Sequence, residues 1–125
     1  MFHMLLICYD PSVAPIASEQ ALQPEHAKLE HELRAAGKYV SGAGLWPVET
    51  AKTVRKRNGK AATTDGPFAE TKEAVGGYYI VDCEEAEALA IAARIPVESR
   101  SWIEVRKIAL FHPNVSRIAQ MSDAG

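Results

Sequence analysis

The sequence predicts an α+β fold in which two helices cover one face of an antiparallel sheet. Apolar patterns follow one another as strand, helix, strand, hairpin, strand, helix and strand. Two helices are too few to cover both faces of a sheet, so both are expected on the same face. A chain of 125 residues has the usual size of one domain with its own core.

The first strand–helix–strand unit lies in the N-terminal third of the chain. Residues 2–9 are apolar and β-prone, which predicts a strand. Pro24 is expected at the first position of the helix, where its missing N–H costs nothing, and Gly37 is expected to end the helix. Residues 39–45 predict the second strand. One helical face is expected to point at the sheet, because its residues recur at helical spacing: His26, Leu29, Leu33 and Ala36.

A hairpin is predicted in the middle of the chain. The dipeptide Asn58-Gly59 stands between two extended runs, residues 53–57 and 60–64. Such a dipeptide between two extended runs is the strongest short-range signal for a hairpin.

The second strand–helix–strand unit follows. Residues 77–83 predict a strand, and a helix is expected from Glu84 to a point before Pro96. Residues 102–108 alternate between apolar and charged side chains, which predicts a strand with one covered face. Residues 1–111 are therefore expected to form the domain, and residues 112–125 a loose polar tail.

These elements predict a ferredoxin-like sandwich, βαβ–hairpin–βαβ, whose second sheet face is left without helices. Tyr79 and Trp102 are expected on that uncovered face. Large apolar side chains make an exposed face unfavourable in a monomer, so we expect a homodimer that packs sheet face to sheet face.

Composition excludes several classes of function. The net charge of −2 provides no broad basic surface for nucleic acid, and no apolar run approaches the length of about 20 residues that crosses a bilayer. The start of the chain contains no cationic leader, so a cytoplasmic protein is expected. Cys8 and Cys83 are expected to be reduced core thiols. No metal-ligand spacing or phosphate-binding loop occurs, so we expect neither a metal nor a cofactor.

The most distinctive stretch is Thr64-Asp65-Gly66-Pro67-Phe68-Ala69-Glu70-Thr71-Lys72-Glu73, followed by the Gly-Gly-Tyr-Tyr-Ile-Val run of residues 76–81. Over about residues 1–110, the chain resembles the DGPF group of the YCII-related family. The resemblance also rests on three shorter segments: Met4–Ile7, Val40–Gly42 and Ile103–Arg106. It implies ferredoxin-like subunits that pair into a dimeric α+β barrel.

Asp65-Gly66-Pro67 is a turn by its chemistry, because Asp bonds the backbone ahead, Gly permits positive φ and Pro fixes the exit. Phe68 is then expected to pack back onto an apolar surface. Two interpretations stay open. The turn orders the connection into the next strand, or it lines a ligand site in which Phe68 contacts the substrate.

His26 is the candidate catalytic residue. The resemblance implies that a histidine in the first helix pairs with an aspartate as an acid/base dyad, and Pro24-Glu25-His26-Ala27 matches that region. Residues 41–46 contain no aspartate, so Asp65 is the expected substitute. The alternative is that His26 is a core histidine with no chemical role.

Ser41 and Arg106 are the other candidate substrate-binding residues. A guanidinium binds carboxylates in bidentate fashion, but Arg106 is expected to face away from the helices, where an ion pair with Glu104 of a neighbouring strand is the alternative. Ser41 is an ordinary strand serine unless a base reaches it.

Two functions are consistent with the sequence. The first is a pocket between the sheet and the first helix that binds a small polar ring or enol compound, with lyase or isomerase chemistry at His26. The second is a non-catalytic regulatory protein, since the resemblance implies association with extracytoplasmic function sigma factors. A closed, polar-lined pocket beside His26 favours the first function, and a filled core there favours the second.

Overall fold

A computed structural model describes residues 1–15, 19–67 and 73–114 of the chain. The elements follow in the predicted order, with the bounds β1 (Phe2–Tyr9), α1 (Glu19–Ala35), β2 (Tyr39–Gly44), β3 (Lys52–Arg57), β4 (Lys60–Asp65), β5 (Ala74–Asp82), α2 (Glu85–Ala92) and β6 (Ser101–Lys107). The βαβ–hairpin–βαβ prediction is confirmed.

The main sheet has the strand order β2-β5-β1-β6, and all three neighbouring pairs are antiparallel. The strands of each βαβ unit are therefore parallel but separated by a strand of the other unit. This split arrangement is the ferredoxin-like topology. Strands β3 and β4 form a separate two-stranded sheet.

The core lies between the two helices and one face of the main sheet. Leu5 and Val81 are 0% exposed at the centre of the sheet, and Leu29 and Leu33 of α1 pack against them. Side chains alternate between the faces of a strand, so the residues next to Leu5 and Val81 face the other way. That second face is called the opposite face below.

Two predictions about individual residues are wrong. Pro24 lies inside α1, whose described part begins at Glu19. Residues 19–23 are good helix formers apart from their proline neighbour, so the helix continues through Pro24 at the cost of one backbone hydrogen bond. Tyr79 is buried in the core on the helix side, not on the opposite face. Trp102 does lie on the opposite face, where it pairs with Cys8 and is 39% exposed.

The predicted hairpin is confirmed between β3 and β4. Asn58 and Gly59 both have positive φ, 54° and 78°. Positive φ at both central residues is the signature of a type I′ turn, whose twist matches that of the flanking strands. The local dipeptide thus specifies this turn without help from the rest of the chain.

Candidate functional site

A cavity of about 330 Å³ opens between the first half of α1, one end of the main sheet and the segment 96–101. It lies on the helix side of the sheet, beyond the packed core. Its floor contains glycines of β2 and β5, namely Gly42, Gly44, Gly76 and Gly77. Because these residues carry no side chains, the sheet presents its backbone to the cavity.

Two of these glycines are required by close contacts. A Cβ at Gly77 would lie 2.6 Å from the carbonyl oxygen of Ala43 on the neighbouring strand, which no real Cβ tolerates. A Cβ at Gly76 would lie 3.3 Å from the ring of Tyr9. Around Gly44, in contrast, the space is open. The glycine run therefore serves strand pairing at Gly77 and leaves room for a ligand at Gly44.

His26 reaches the cavity from α1 and meets Tyr79 of β5. Its Nδ1 lies 2.7 Å from the Tyr79 hydroxyl oxygen, and the two ring centroids are 5.9 Å apart. Burial, and then the negative charge of Glu30, raise the pKa of Tyr79 to about 12, so its hydroxyl stays protonated near neutrality. His26 thus faces the sheet, as its helical position predicts.

Glu30 follows His26 by one helical turn and also lines the cavity. Its carboxylate interacts electrostatically with the Tyr39 hydroxyl and lies 3.7 Å from the Arg34 guanidinium. Burial, followed by the contact with Glu30, raises the pKa of Tyr39, and the positive charge of Arg34 opposes the rise. Glu30 places a carboxylate within the same cavity as the imidazole of His26.

The opposite wall of the cavity is formed by Arg100 and Glu98, whose side chains are largely buried. Arg100 Nε lies 3.2 Å from Glu98 Oε1, and its Nη1 donates to the carbonyl oxygen of Val13 at 2.9 Å. The guanidinium also stacks 4.6 Å above the ring of Tyr9. Arg100 is the one arginine or lysine among the described lining residues, and its charge is already matched by Glu98.

The structure does not bring the predicted dyad together. Asp65 ends β4, its side chain is 90% exposed, and its carboxylate pairs with Lys52 at 2.7 Å. It is not among the described residues that line the cavity with His26. Gly66 has a φ of 90°, the positive φ for which a glycine was expected at this position. Phe68 lies outside the described residues.

Ser41 and Arg106 lie on the opposite face of the sheet, away from His26. Ser41 pairs with Ile80, Ile80 with Met4, and Met4 with Arg106. Directly paired residues share a face, so all four form one row. Ser41 and Arg106 are at the two edges of the sheet, roughly 14 Å apart over three strand spacings. Neither residue lines the described cavity.

Sequence reasoning missed several polar residues of the cavity, among them Tyr79, Glu30 and Arg100. The location of Glu30 beside His26 could have been predicted, because a residue four positions after His26 shares its helical face. Tyr79 was not, because Tyr78 and Tyr79 are adjacent and only the pairing register decides which one meets α1. Arg100 lies in a loop before β6, and no periodicity marks it.

The remaining expectations concern metals, membranes and thiols. No group of three or more potential metal-binding side chains occurs within residues 1–15, 19–67 and 73–114. In the same ranges, no helix is long and apolar enough to cross a membrane. Cys8 and Cys83 are free and buried, as predicted, and burial is the main cause that raises the pKa of both thiols.

Comparison with known proteins agrees with this architecture. The YCII-related domain matches residues 1–112 of the chain. An uncharacterised protein of Rhizobium meliloti (strain 1021) is 35% identical over 115 residues, which cover 86% of this chain and 93% of that protein. The chain therefore belongs to the family of YCII-related domains.

Proposed function

We propose that this YCII-related domain binds a small polar organic molecule in the cavity beside His26 and moves a proton on it. The observation that carries the proposal is the open cavity of about 330 Å³ into which an imidazole and a carboxylate both project. A filled core at His26 would favour the non-catalytic alternative, in which the protein is a partner of a sigma factor. The open cavity supports the small-molecule function instead.

The chemistry available is that of a lyase or an isomerase acting on a small ring or enol compound. His26 and Glu30 are one helical turn apart on the same face, and both line the cavity. An imidazole and a carboxylate in one site are suited to give and take protons near neutral pH. In this proposal Glu30 replaces Asp65 as the carboxylate of the site.

The ligand is expected to be uncharged and ring-sized. Arg100 is matched by Glu98, and Glu30 lies beside Arg34, so the described lining presents no excess positive charge to attract an anion. The rings of Tyr9, Tyr39 and Tyr79 give the cavity flat apolar surfaces. Cyclic ketones, lactones and their enols fit this combination of aromatic walls and few polar groups.

The test is a ligand screen by NMR with uniformly labelled protein. Neutral cyclic ketones and lactones are expected to shift the backbone amide signals of Gly44 and Gly76 and to raise the melting temperature. His26→Gln should abolish the shifts, whereas His31→Gln, an exposed histidine on the same helix, should leave them intact. Gly44→Val should block binding by filling the open space. Equal binding by His26→Gln and wild type would refute the role of His26.

We also propose that the protein is a homodimer of the DGPF group that pairs through the opposite face. The support is the exposure of Trp102 on that face, together with half-buried Met4, Leu6 and Tyr78. Light scattering of wild type should give twice the chain mass, and Trp102→Glu should give the monomer. Leu110→Glu, at an exposed leucine outside the sheet, is the control that should stay dimeric. A monomeric wild type at micromolar concentration would refute the dimer.

A further inference from the structure

The hydrogen bond between His26 and Tyr79 has one proton arrangement that satisfies the tyrosine. Tyr79 is 7% exposed, and a buried hydroxyl needs an acceptor for its proton. Among the described residues, the hydroxyl has one hydrogen-bond partner, Nδ1 of His26. The nearby carboxylate of Glu30 acts on Tyr79 through its charge and is not a hydrogen-bond partner of this hydroxyl among the described residues.

We propose that Tyr79 donates its hydroxyl proton to Nδ1 and thereby fixes neutral His26 in the tautomer that carries its proton on Nε2. Imidazolium carries a proton on both nitrogens. Nε2 is therefore protonated in both charge states, so this nitrogen is a hydrogen-bond donor and not a lone-pair acceptor.

This assignment differs from that of a histidine held by a carboxylate. A carboxylate accepts from Nδ1–H and so leaves the Nε2 lone pair available as a base. A protonated phenol does the reverse, because it supplies a proton to Nδ1. An aspartate partner would accept a proton from His26 in a hydrogen bond, whereas Tyr79 donates one. Glu30 is then the group of the cavity that can accept a proton from a ligand.

The ligand class follows, and this step rests on the proposed function. A donor at Nε2 selects a ligand with an acceptor oxygen at that point, such as a carbonyl. The hydrogen bond strengthens as negative charge develops on that oxygen when the carbonyl becomes an enolate, which is the condition for stabilising a transition state. Tyr79 is a positioning residue in this scheme, since it acts on the ligand through His26.

The test is nitrogen NMR of the imidazole rings in the full chain without ligand. At a pH where His26 is neutral, its wild-type spectrum should show a protonated Nε2 and an unprotonated Nδ1. In Tyr79→Phe the two nitrogen signals should move toward each other, because Nδ1 no longer receives the tyrosine proton that favours one tautomer. Tyr39→Phe, which removes the other tyrosine hydroxyl near Glu30, should keep the wild-type pattern.

A protonated Nδ1 in the wild type would overturn the proposal, as would an unchanged pattern in Tyr79→Phe. The wild-type spectrum decides alone if the variant does not fold. The result is independent of the ligand screen, because no ligand is present. If the tautomer is as expected but no cyclic carbonyl compound binds, the proposed function fails and the assignment of the tautomer stands.

Discussion

The two faces of the main sheet are built from the same strands but differ in how deeply their side chains are buried. On the helix side, Leu5 and Val81 are fully buried beneath α1 and α2. On the opposite face, Leu6 is half-buried and Trp102 is 39% exposed. Apart from His3, strand β1 is apolar at both sets of positions, so apolar residues alone do not show which face the helices cover. The packing of α1 and α2 determines which face becomes the core.

The same comparison separates the residues of the candidate site. His26, Tyr79 and Glu30 meet on the helix side, where glycines interrupt the packing and leave a cavity. Ser41 and Arg106 lie on the opposite face. The proposed chemistry and the proposed dimer contact therefore lie on different faces of one sheet, and variants on each face should have different consequences.

Leu5→Ala should have the largest effect on stability. Removing a fully buried leucine lowers the free energy of unfolding by about 2–5 kcal/mol, through lost burial and the cavity left behind. Its neighbour Leu6→Ala, on the opposite face, is the matched control and should cost less at low protein concentration. Urea unfolding followed by circular dichroism measures both.

Protein concentration sharpens the comparison. If the opposite face pairs in a homodimer, the loss caused by Leu6→Ala should grow as the protein is concentrated, because association stabilises the folded chain. The loss caused by Leu5→Ala should be present at every concentration. A Leu6→Ala loss equal to that of Leu5→Ala in a dilute monomer would contradict the difference between the faces.

Gly77→Ala should have the next largest effect. The new Cβ would press on the carbonyl oxygen of Ala43, so strands β2 and β5 must move apart, and such overpacking costs about 1–3 kcal/mol. Gly44→Ala is the control, because nothing lies within 4 Å of its Cβ position. Thermal unfolding should show a lowered melting temperature for Gly77→Ala alone. Equal melting temperatures would contradict the prediction, because strands β2 and β5 would then accommodate the new Cβ without a loss of stability.

The fold could be predicted further than the site because its signals are local. Asn58-Gly59 specifies its turn by backbone conformation, and the helical spacing of His26 and Leu29 orients α1 correctly. The start of α1 could not be placed from Pro24, because the good helix formers before it extend the helix through the proline despite the lost backbone hydrogen bond. Local signals therefore give the elements and their order.

The site depends on non-local pairing. Tyr79 contacts His26 because the register of β5 against β1 turns it, and not Tyr78, toward α1. Asp65 was the substitute for a missing aspartate, but β4 belongs to a separate sheet and its end lies in solvent. Neither fact is encoded in a short stretch of sequence, so the partner of His26 had to come from the structure.

Tyr79→Phe should change the pH dependence of stability at alkaline pH. In the unfolded chain a tyrosine ionises near its ordinary pKa of about 10, whereas folded Tyr79 holds its proton to about 12. Between these values the unfolded state binds fewer protons, so stability falls as pH rises. Tyr79→Phe should flatten part of this fall in urea titrations at pH 9–11. Tyr78→Phe, on the opposite face, controls for the loss of a tyrosine, and an equal flattening there would contradict the assignment.

Asp65→Asn should have the smallest effect on stability. It also tests whether the end of the hairpin is separate from the cavity that contains His26. Its ion pair with Lys52 is exposed, and such pairs contribute about 0–1 kcal/mol, so the melting temperature should barely change. Because Asp65 is absent from the described lining of the cavity, the imidazole NMR signals of His26 should also stay where they are. A shift of those signals at dimer-forming concentrations, and not in the Trp102→Glu monomer, would mean that the hairpin of one subunit reaches the cavity of its partner. The dyad predicted from the sequence would then form between two chains, and the site would hold a second carboxylate besides that of Glu30.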